Sequence, residues 1–540
     1  MFAASDGRQR AVGGHGAVSF DVGRDALVDA LREHNPWWKD GATALAPALP
    51  ARHRSDYYHL ARPESPGSQF EDQPILGLVG RQGVGKTTLL KQFIYGRIKD
   101  GTAPERFCYL PFEADPLYQL GSDEQLEQAV RYYESRVLGR LDDPDPHFLL
   151  LDDVHHVEHP HKRSIDGWGS PVARAIEASE GRHIAVSASA GVQVKRELDR
   201  VGISEDVYNI QPILPEKFRD YLFTLYPSLE DDDRRVSPTP LRQGDGSLPA
   251  ALEAKDPTGL VEVLRNQQSQ VADVSRRIQL QIVHYLAMGG IISYAEDGAV
   301  ENAGDLDSTA YKRLRDDVQT ALYREVPAFE SVKTVADLER LCALAARNHG
   351  GDAVRYQRLV DLFDVDRRTI RDSYLDALSA LYLLTPTTEY DNARPRSVRL
   401  YLRDTGLVTA FTDGTPTAVL EDREREAALA RVAAFDHTMR FAYGVNAIQD
   451  NETDVEVGYW EAREGTIDFV FEVGDTPVPV ALAYRSPIDD SEAALERFVD
   501  EYDTPLGFLV VGDTVSESEE VQRLNDGVVQ LPYWLYLLLC

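Results

Sequence analysis

The sequence predicts an α/β chain of several domains, the first built on a largely parallel sheet that presents a phosphate-binding loop. Three observations carry this. Apolar runs alternate with helical stretches from Pro74 to Tyr226, the pattern of strands joined by helical crossovers. A glycine-rich loop, GRQGVGKTT (Gly80 to Thr88), follows one apolar run and precedes a helical one. A second apolar run, Phe148 to Leu151, ends in two carboxylates, Asp152 and Asp153.

At 540 residues and 43% hydrophobic content the chain is too long for one core, and two to four domains are expected. Its three cysteines, Cys108, Cys342 and Cys540, are scattered, which points to a reducing cytoplasm and away from a disulfide framework. The first 18 residues lack the apolar core of a signal peptide. No apolar run approaches the ~20 residues of a membrane helix, so no membrane partner is expected. The longest, Leu531 to Leu539, reads as a docked terminal helix.

Taken in order, residues 1–70 form a polar extension holding one helical stretch, GRDALVDALREH, and an aromatic Asn-Pro-Trp-Trp segment (Asn35 to Trp38). Residues 71–226 carry five expected strands, ILGLVG, RFCYLPFE, HFLLLDD, HIAVSAS and VYNIQPI. Residues 227–257 are rich in Pro, Gly and Asp and read as a flexible linker. Residues 258–345 look helical with a break at Met288–Gly290, and 346–412 read as helix, helix-turn-helix and hairpin. Residues 425–540 form a second α/β unit with strands VEVGYWEA, TIDFVFEV, VPVALAY and LGFLVVG.

The loop Gly80–Thr88 fits G-x-x-x-x-G-K-[ST] in the strand–loop–helix setting that the chemistry needs. Gly80, Gly83 and Gly85 let backbone N–H groups curl around an anion at a helix N-terminus, where the dipole already favours negative charge. ATP and Mg²⁺ are the expected ligands, with Lys86 on the β/γ-phosphates, Thr87 on the metal and Thr88 beside it. Asp152, at a strand end 66 residues after Lys86, would hold Mg²⁺ through water, and Asp153 would orient or deprotonate the attacking water. Ser187 and Ser189, at the end of HIAVSAS, are candidate γ-phosphate sensors. His155 and His156 have no spaced Cys or His partners and read as loop surface.

Several further motifs carry a resemblance: NPWW, LLLDDVHH, VSAS, IQPILPEKFRDYL, YLAMGG, YLRDTGL and TIDFVFE, in that order. Together they are similar to AAA-type ATPases of archaea and bacteria that end in a winged helix and a restriction-endonuclease-like domain of unknown function. The resemblance implies a P-loop NTPase sheet of AAA type, then a helical and winged-helix region, then a small nuclease-like α/β domain. The family's Walker B motif ends Asp-Glu, and Asp153 stands in place of the Glu. Arg200 lies in a different setting from the family's post-sensor arginine, so no arginine finger is assigned. A PD-(D/E)xK nuclease needs an Asp followed by Glu-x-Lys. Asp468 matches the first acid, but the Glu-x-Lys positions fall on Ala481 and Ala483, with Arg485 further along the same face, and no Lys follows Lys333. The domain is therefore expected to be inactive as a nuclease.

Acids outnumber Lys plus Arg by 89 to 57, giving a formal charge of -32, and only ten of the basic residues are Lys. This balance resembles proteins of salt-in halophiles, in which acidity keeps the surface hydrated and says little about partners. Residues 346–403 nevertheless hold ten Arg against eight acids, whereas the segment from 425 holds seven Arg against 23 acids. The second helix of the helix-turn-helix would present Arg367, Arg368 and Arg371 to double-stranded DNA. The expectation is an ATP-driven switch or remodeller with DNA as one partner. The alternative is a signalling ATPase whose C-terminal domain binds a protein, or one that self-assembles, with no DNA contact.

Overall fold

The computed structural model describes residues 23–540 apart from 51–73, 115–116, 118–122, 144–145, 155–167, 179–180, 227–240, 299–308, 331, 413–420, 450, 452–454, 463–464, 486, 513–519 and 525–526. His155 and His156 and residues 227–240 of the expected linker lie outside the described residues, whereas Leu248–Glu253, read as part of the flexible linker, is a helix whose Leu248 and Leu252 are packed in the core.

All five strands expected between Pro74 and Tyr226 form: β1 (Ile75–Val79), β2 (Phe107–Pro111), β3 (His147–Asp152), β4 (Arg182–Ala188) and β5 (Tyr208–Pro212). They pair in parallel in the order β2-β3-β4-β1-β5. A parallel sheet is covered on both faces, which is why ILGLV of β1 and HFLLLD of β3 are buried along their whole length. One face packs the helix Lys86–Lys99 through Leu89, Leu90, Phe93 and Ile94. The other face takes up Leu27, Ala30 and Leu31 of the helix Arg24–His34. Part of the stretch expected as a polar extension thus belongs to the packing of this sheet.

After the sheet come the helices Pro257–Gln270, Ser275–Met288, Ile292–Gly298, Thr309–Thr320 and Val335–Asn348. Met288–Gly290 ends one of them, as the sequence suggests. A helix pair follows, Tyr356–Phe363 and then Arg367–Ala380, the latter π-wound over Ile370–Leu375. Beside it stands an antiparallel sheet in the order β6-β8-β7, with β6 at Val354–Arg355, β7 at Leu384–Thr387 and β8 at Ser397–Leu402. The 26-residue helix Arg423–Ile448 leads to a mixed six-stranded sheet, β13-β14-β12-β11-β10-β9. Its strands are β9 (Gly458–Ala462), β10 (Gly465–Val473), β11 (Thr476–Ala483), β12 (Gly507–Val511), β13 (Gln522–Arg523) and β14 (Val528–Pro532). One apolar cluster runs from Phe93 and Phe148 through Leu286 and Leu378 to Phe435 and Phe508, so the successive units share a core.

The terminal apolar run differs from expectation. Val528–Pro532 is a strand and only Tyr533–Tyr536 is helical. Pairing of β14 with β12 satisfies the backbone of the run's first residues, which apolar content alone does not distinguish from a buried helix.

Candidate nucleotide-binding site

β1 delivers the glycine-rich loop at its C-terminal end. The Gly80 amide donates to the Ala188 carbonyl at 3.1 Å and the Ile213 amide to the Val79 carbonyl at 2.7 Å, so the loop leaves the sheet braced on both sides. Gly80 sits at φ +156°, and a Cβ there would stand 2.2 Å from the Ile213 oxygen, which leaves room for glycine alone. Gly83 and Gly85 are left-handed at φ +82° and +100°, and Gly85 caps the helix Lys86–Lys99. The amides of the loop therefore gather at the positive end of a 14-residue helix.

Lys86 is buried. Its Nζ donates to the carbonyls of Gly80 at 2.8 Å and Arg81 at 3.2 Å and lies 3.8 Å from Asp153 Oδ1. Thr87 Oγ1 donates to Asp152 Oδ2 at 2.7 Å, and Thr88 is half-buried on the same helical turn. Asp152 is buried and accepts three hydroxyls, with Tyr109 OH on Oδ2 at 2.6 Å and Ser187 Oγ on Oδ1 joining Thr87. Burial, and then Asp152 itself, pushes the pKa of the Tyr109 phenol far up, so it stays a donor. Asp153 sits just past β3 at φ +54°, a backbone region that Asp tolerates better than most residues, and its amide donates to Ser187 Oγ at 2.7 Å.

The strand order explains this convergence. β4 lies between β1 and β3, so its end is the point midway between the loop and the two acids. Ser187, a candidate sensor, is fully buried and engaged with Asp152 and Asp153. Ser189 is buried two residues further on.

The donor set fits Mg²⁺. Thr87 spends its proton on Asp152, which leaves its oxygen lone pairs for a hard cation beside a carboxylate.

Two residues that sequence reasoning missed complete the site. One is Tyr109, whose only signal was its place in an apolar strand. The other is Arg81, inside the loop itself. Arg81 is buried, and none of its three guanidinium nitrogens has a hydrogen-bond partner among the described residues. Burial pushes its pKa down, against the pull of Asp404 and other neighbours. Asp404 is buried too. Its Oδ2 accepts the Gly290 amide at 2.8 Å, its Oδ1 has no partner among the described residues, and burial pushes its pKa up.

Asp404 also ties together three of the motifs that lie far apart in sequence. Gly289, at φ +80°, has no space for a Cβ, which would lie 2.2 Å from Asp404 Oδ1. The Glu216 amide donates to the Gly290 carbonyl at 2.7 Å, Tyr285 OH donates to the Glu216 carbonyl at 3.2 Å, and Thr405 Oγ1 donates to the Tyr285 carbonyl at 3.2 Å. PEKF, YLAMGG and RDTGL thus form one hydrogen-bonded hub next to the loop.

In the C-terminal domain two acids, Asp468 of β10 and Glu426 of the helix Arg423–Ile448, are each held by an arginine. Arg431 Nε lies 3.3 Å from Asp468 Oδ1, and Arg485 Nη2 lies 2.7 Å from Glu426 Oε2. Ala481 and Ala483 are packed with Leu495 and Phe498 of the helix Ile488–Tyr502, whereas Asp468 reaches Arg431 and the Leu482 amide. The two alanines do not share a face with Asp468, and Arg485, expected further along their face, reaches Glu426 instead. A register shift in β10 between Ile467 and Val470 turns Asp468 away from them. Among the described residues no group of three or more His, Cys, Asp or Glu could hold a metal.

The arginines proposed for DNA are exposed but engaged. Arg367 donates to the Pro395 carbonyl and lies over the Tyr356 ring at 4.5 Å. Arg368 and Arg371 both pair with Asp372, at 3.4 and 2.5 Å.

Residues 72–221 match the family model described as an AAA domain, and residues 299–418 match a domain of unknown function, DUF8612. No curated protein matches the chain. Among solved structures, a Walker-type ATPase of Pyrococcus abyssi aligns at 12% identity and a TM-score of 0.35, covering 63% of this chain and 92% of that one. The Aeropyrum pernix ORC1 protein in complex with DNA aligns at 15% identity and a TM-score of 0.24, covering 74% of this chain and 96% of that one. A signal transduction ATPase with numerous domains from Pyrococcus horikoshii aligns at 8% identity and a TM-score of 0.20, covering 74% and 48%. Such scores describe no shared overall arrangement. The assignment of residues 72–221 to an AAA-type P-loop domain rests on the family match together with the loop geometry and strand order.

Proposed function

We propose that this chain, whose residues 72–221 are an AAA-type P-loop domain, is a Mg²⁺-dependent ATPase that works as a nucleotide-driven switch. The observation that carries the reading is the convergence of Lys86, Thr87, Asp152 and Asp153 within single hydrogen-bond or ion-pair distances at a helix N-terminus. Lys86 exchanges the Gly80 and Arg81 carbonyls for the β/γ-phosphates of ATP. Thr87 and Asp152 are the residues that would hold Mg²⁺, Asp152 through water. When bound, the ion neutralises charge building on the β- and γ-phosphate oxygens. Asp153, freed from Lys86, orients the attacking water. Its carboxylate is one methylene shorter than Glu, and slow turnover with a long-lived ATP state suits a switch.

We read the output as a protein contact. Asp372 sits among the arginines that would face a DNA groove, and a carboxylate there repels phosphate. The exposure of Arg368 and Arg371 supports the DNA reading as the second one, with the helix pair and the β6-β8-β7 sheet serving as a winged helix. We read the C-terminal domain as a binding module without nuclease activity, because Arg431 and Arg485 neutralise the acids a metal would need.

The test is ATP hydrolysis in molar KCl, with and without double-stranded DNA. Lys86→Ala is expected to abolish nucleotide binding or turnover. Asp153→Asn is expected to retain ATP while losing at least ten-fold in turnover. Undiminished hydrolysis by both variants would sink the proposal. Plasmid cleavage lost on Asp468→Ala would overturn the reading of the C-terminal domain.

A further inference from the structure

We propose that Tyr109 is a positioning residue for the metal-side carboxylate, and that Asn35 of the Asn-Pro-Trp-Trp segment holds Tyr109 in place. The inference rests on the ATPase reading and adds to it a residue that the P-loop and Walker B patterns do not contain.

Asp152 Oδ2 accepts two hydroxyls, Thr87 at 2.7 Å and Tyr109 at 2.6 Å. Thr87, on the first turn of the helix Lys86–Lys99, is itself read as a metal ligand, whereas Tyr109 belongs to β2, in the sheet. Tyr109 is therefore the donor on Oδ2 that has no other part in the site and can fix the oxygen's direction. A charged acceptor in a buried place gains more from such a bond than an exposed one.

β2 is the edge of the sheet, and an edge strand lacks the second partner that would hold its backbone. Asn35 supplies that partner with its side chain. Its Oδ1 accepts the Tyr109 amide at 2.7 Å, and its Nδ2 donates to the Tyr109 carbonyl at 2.9 Å and to the Leu31 carbonyl at 2.8 Å. The adjacent indoles extend the clamp, with Trp38 Nε1 donating to the Phe107 carbonyl at 2.7 Å and Trp37 Nε1 to the same oxygen at 3.3 Å. The Trp37 ring lies 6.4 Å from the Tyr109 ring, and Lys91 of the loop's own helix lies over that ring at 5.5 Å. A chain of direct contacts thus runs from Asn35 through Tyr109 to Asp152. It gives the Asn-Pro-Trp-Trp segment, otherwise unexplained, a role in the site.

The experiment measures the affinity of a fluorescent ADP analogue by titration, once in EDTA and once in excess Mg²⁺, alongside thermal unfolding. Wild type is expected to gain affinity on adding Mg²⁺. Tyr109→Phe keeps the ring and removes only the hydroxyl. It is expected to leave the metal-free affinity within two-fold and to lose about ten-fold of the Mg²⁺ gain, the scale of one hydrogen bond to a charged group. Asn35→Ala is expected to shift the gain in the same direction, and the double variant to lose no more than Tyr109→Phe. Tyr133→Phe removes a hydroxyl bonded at 2.9 Å to the Glu105 carbonyl and is expected to keep the full gain. A wild-type Mg²⁺ gain that Tyr109→Phe retains in full, or an equal loss in EDTA, would overturn the assignment of Tyr109 alone. A wild type indifferent to Mg²⁺ would overturn the ATPase reading as well.

Discussion

Replacing Arg81 and Asp404 together by Met and Asn tests whether the loop carries a charge that stability alone would not keep. Arg81 is 6% exposed with three guanidinium nitrogens unpartnered among the described residues, and Asp404 is 7% exposed with Oδ1 unpartnered among them. No carboxylate pairs with Arg81 within 4.0 Å among the described residues, so at an effective dielectric of 20 the attraction to Asp404 is at most about 4 kcal/mol. Burying each ion costs several kcal/mol, and buried ion pairs replaced by apolar or neutral residues of similar size are often more stable by about 1–4 kcal/mol. The side-chain carbonyl that Asp404→Asn introduces would still accept the Gly290 amide, so the hub keeps its bond. Arg81→Met/Asp404→Asn is thus expected to be more stable than wild type by about 1–4 kcal/mol in urea unfolding of the first transition. Arg81→Met alone is expected to fall between the two, because buried Asp404 can take up a proton once the cation is gone. Nucleotide-dependent behaviour should move the opposite way, since the charges link the loop to the Gly290–Asp404 hub. A double variant destabilised by more than about 1 kcal/mol, or one with wild-type turnover, would refute the reasoning.

His437 is expected to set an acid limit. It is 1% exposed, its Nδ1 lies 2.8 Å from the Ala433 carbonyl and its Nε2 accepts the Phe218 amide at 3.1 Å, so only the neutral ring fits. Burial pushes its pKa down to about 4, against the pull of Asp436. The folded value lies below the unfolded one near 6.5, so the unfolded chain binds the proton first. Stability is full above pH 6.5 and falls between pH 6.5 and 4 by about 3 kcal/mol, a slope that His437→Gln should flatten in unfolding curves. Gly80→Ala is expected to cost more than about 3 kcal/mol, because its Cβ would meet a backbone oxygen at 2.2 Å; soluble, fully stable Gly80→Ala protein would contradict the loop geometry. Arg368→Ala/Arg371→Ala is expected to leave ATP turnover intact and to change no measurable DNA binding in molar KCl; a loss of DNA binding would move the output from protein to DNA.

Much of the site was legible because the chemistry is local. The glycine spacing, Lys86 and Thr87 lie on nine consecutive residues, and a strand ending in Asp152 follows at a distance in sequence that any α/β crossover allows. The sheet strands were legible for a related reason: a parallel strand buried on both faces must be continuously apolar, as β1 and β3 are. The face of Asp468 was not, since a one-residue register shift reverses every side chain after it. Nor was the mixed strand and helix at Val528–Tyr536, where the choice depends on whether β12 offers a free edge.

By itself, then, the sequence determined a P-loop and its acids, because backbone conformation at glycines and charge at a strand end are properties of a few adjacent residues. Tertiary structure alone decided the rest. The order β2-β3-β4-β1-β5 put Ser187 against the acids. The edge position of β2 let Asn35 bind Tyr109, and Tyr109 reach Asp152, across 74 and 43 residues of chain. Burial turned Arg81 from an ordinary loop residue into a charge without a hydrogen-bond partner among the described residues, under the pull of Asp404. These are pairings between residues far apart in sequence, where partner and solvent exposure are set by packing and by no local pattern.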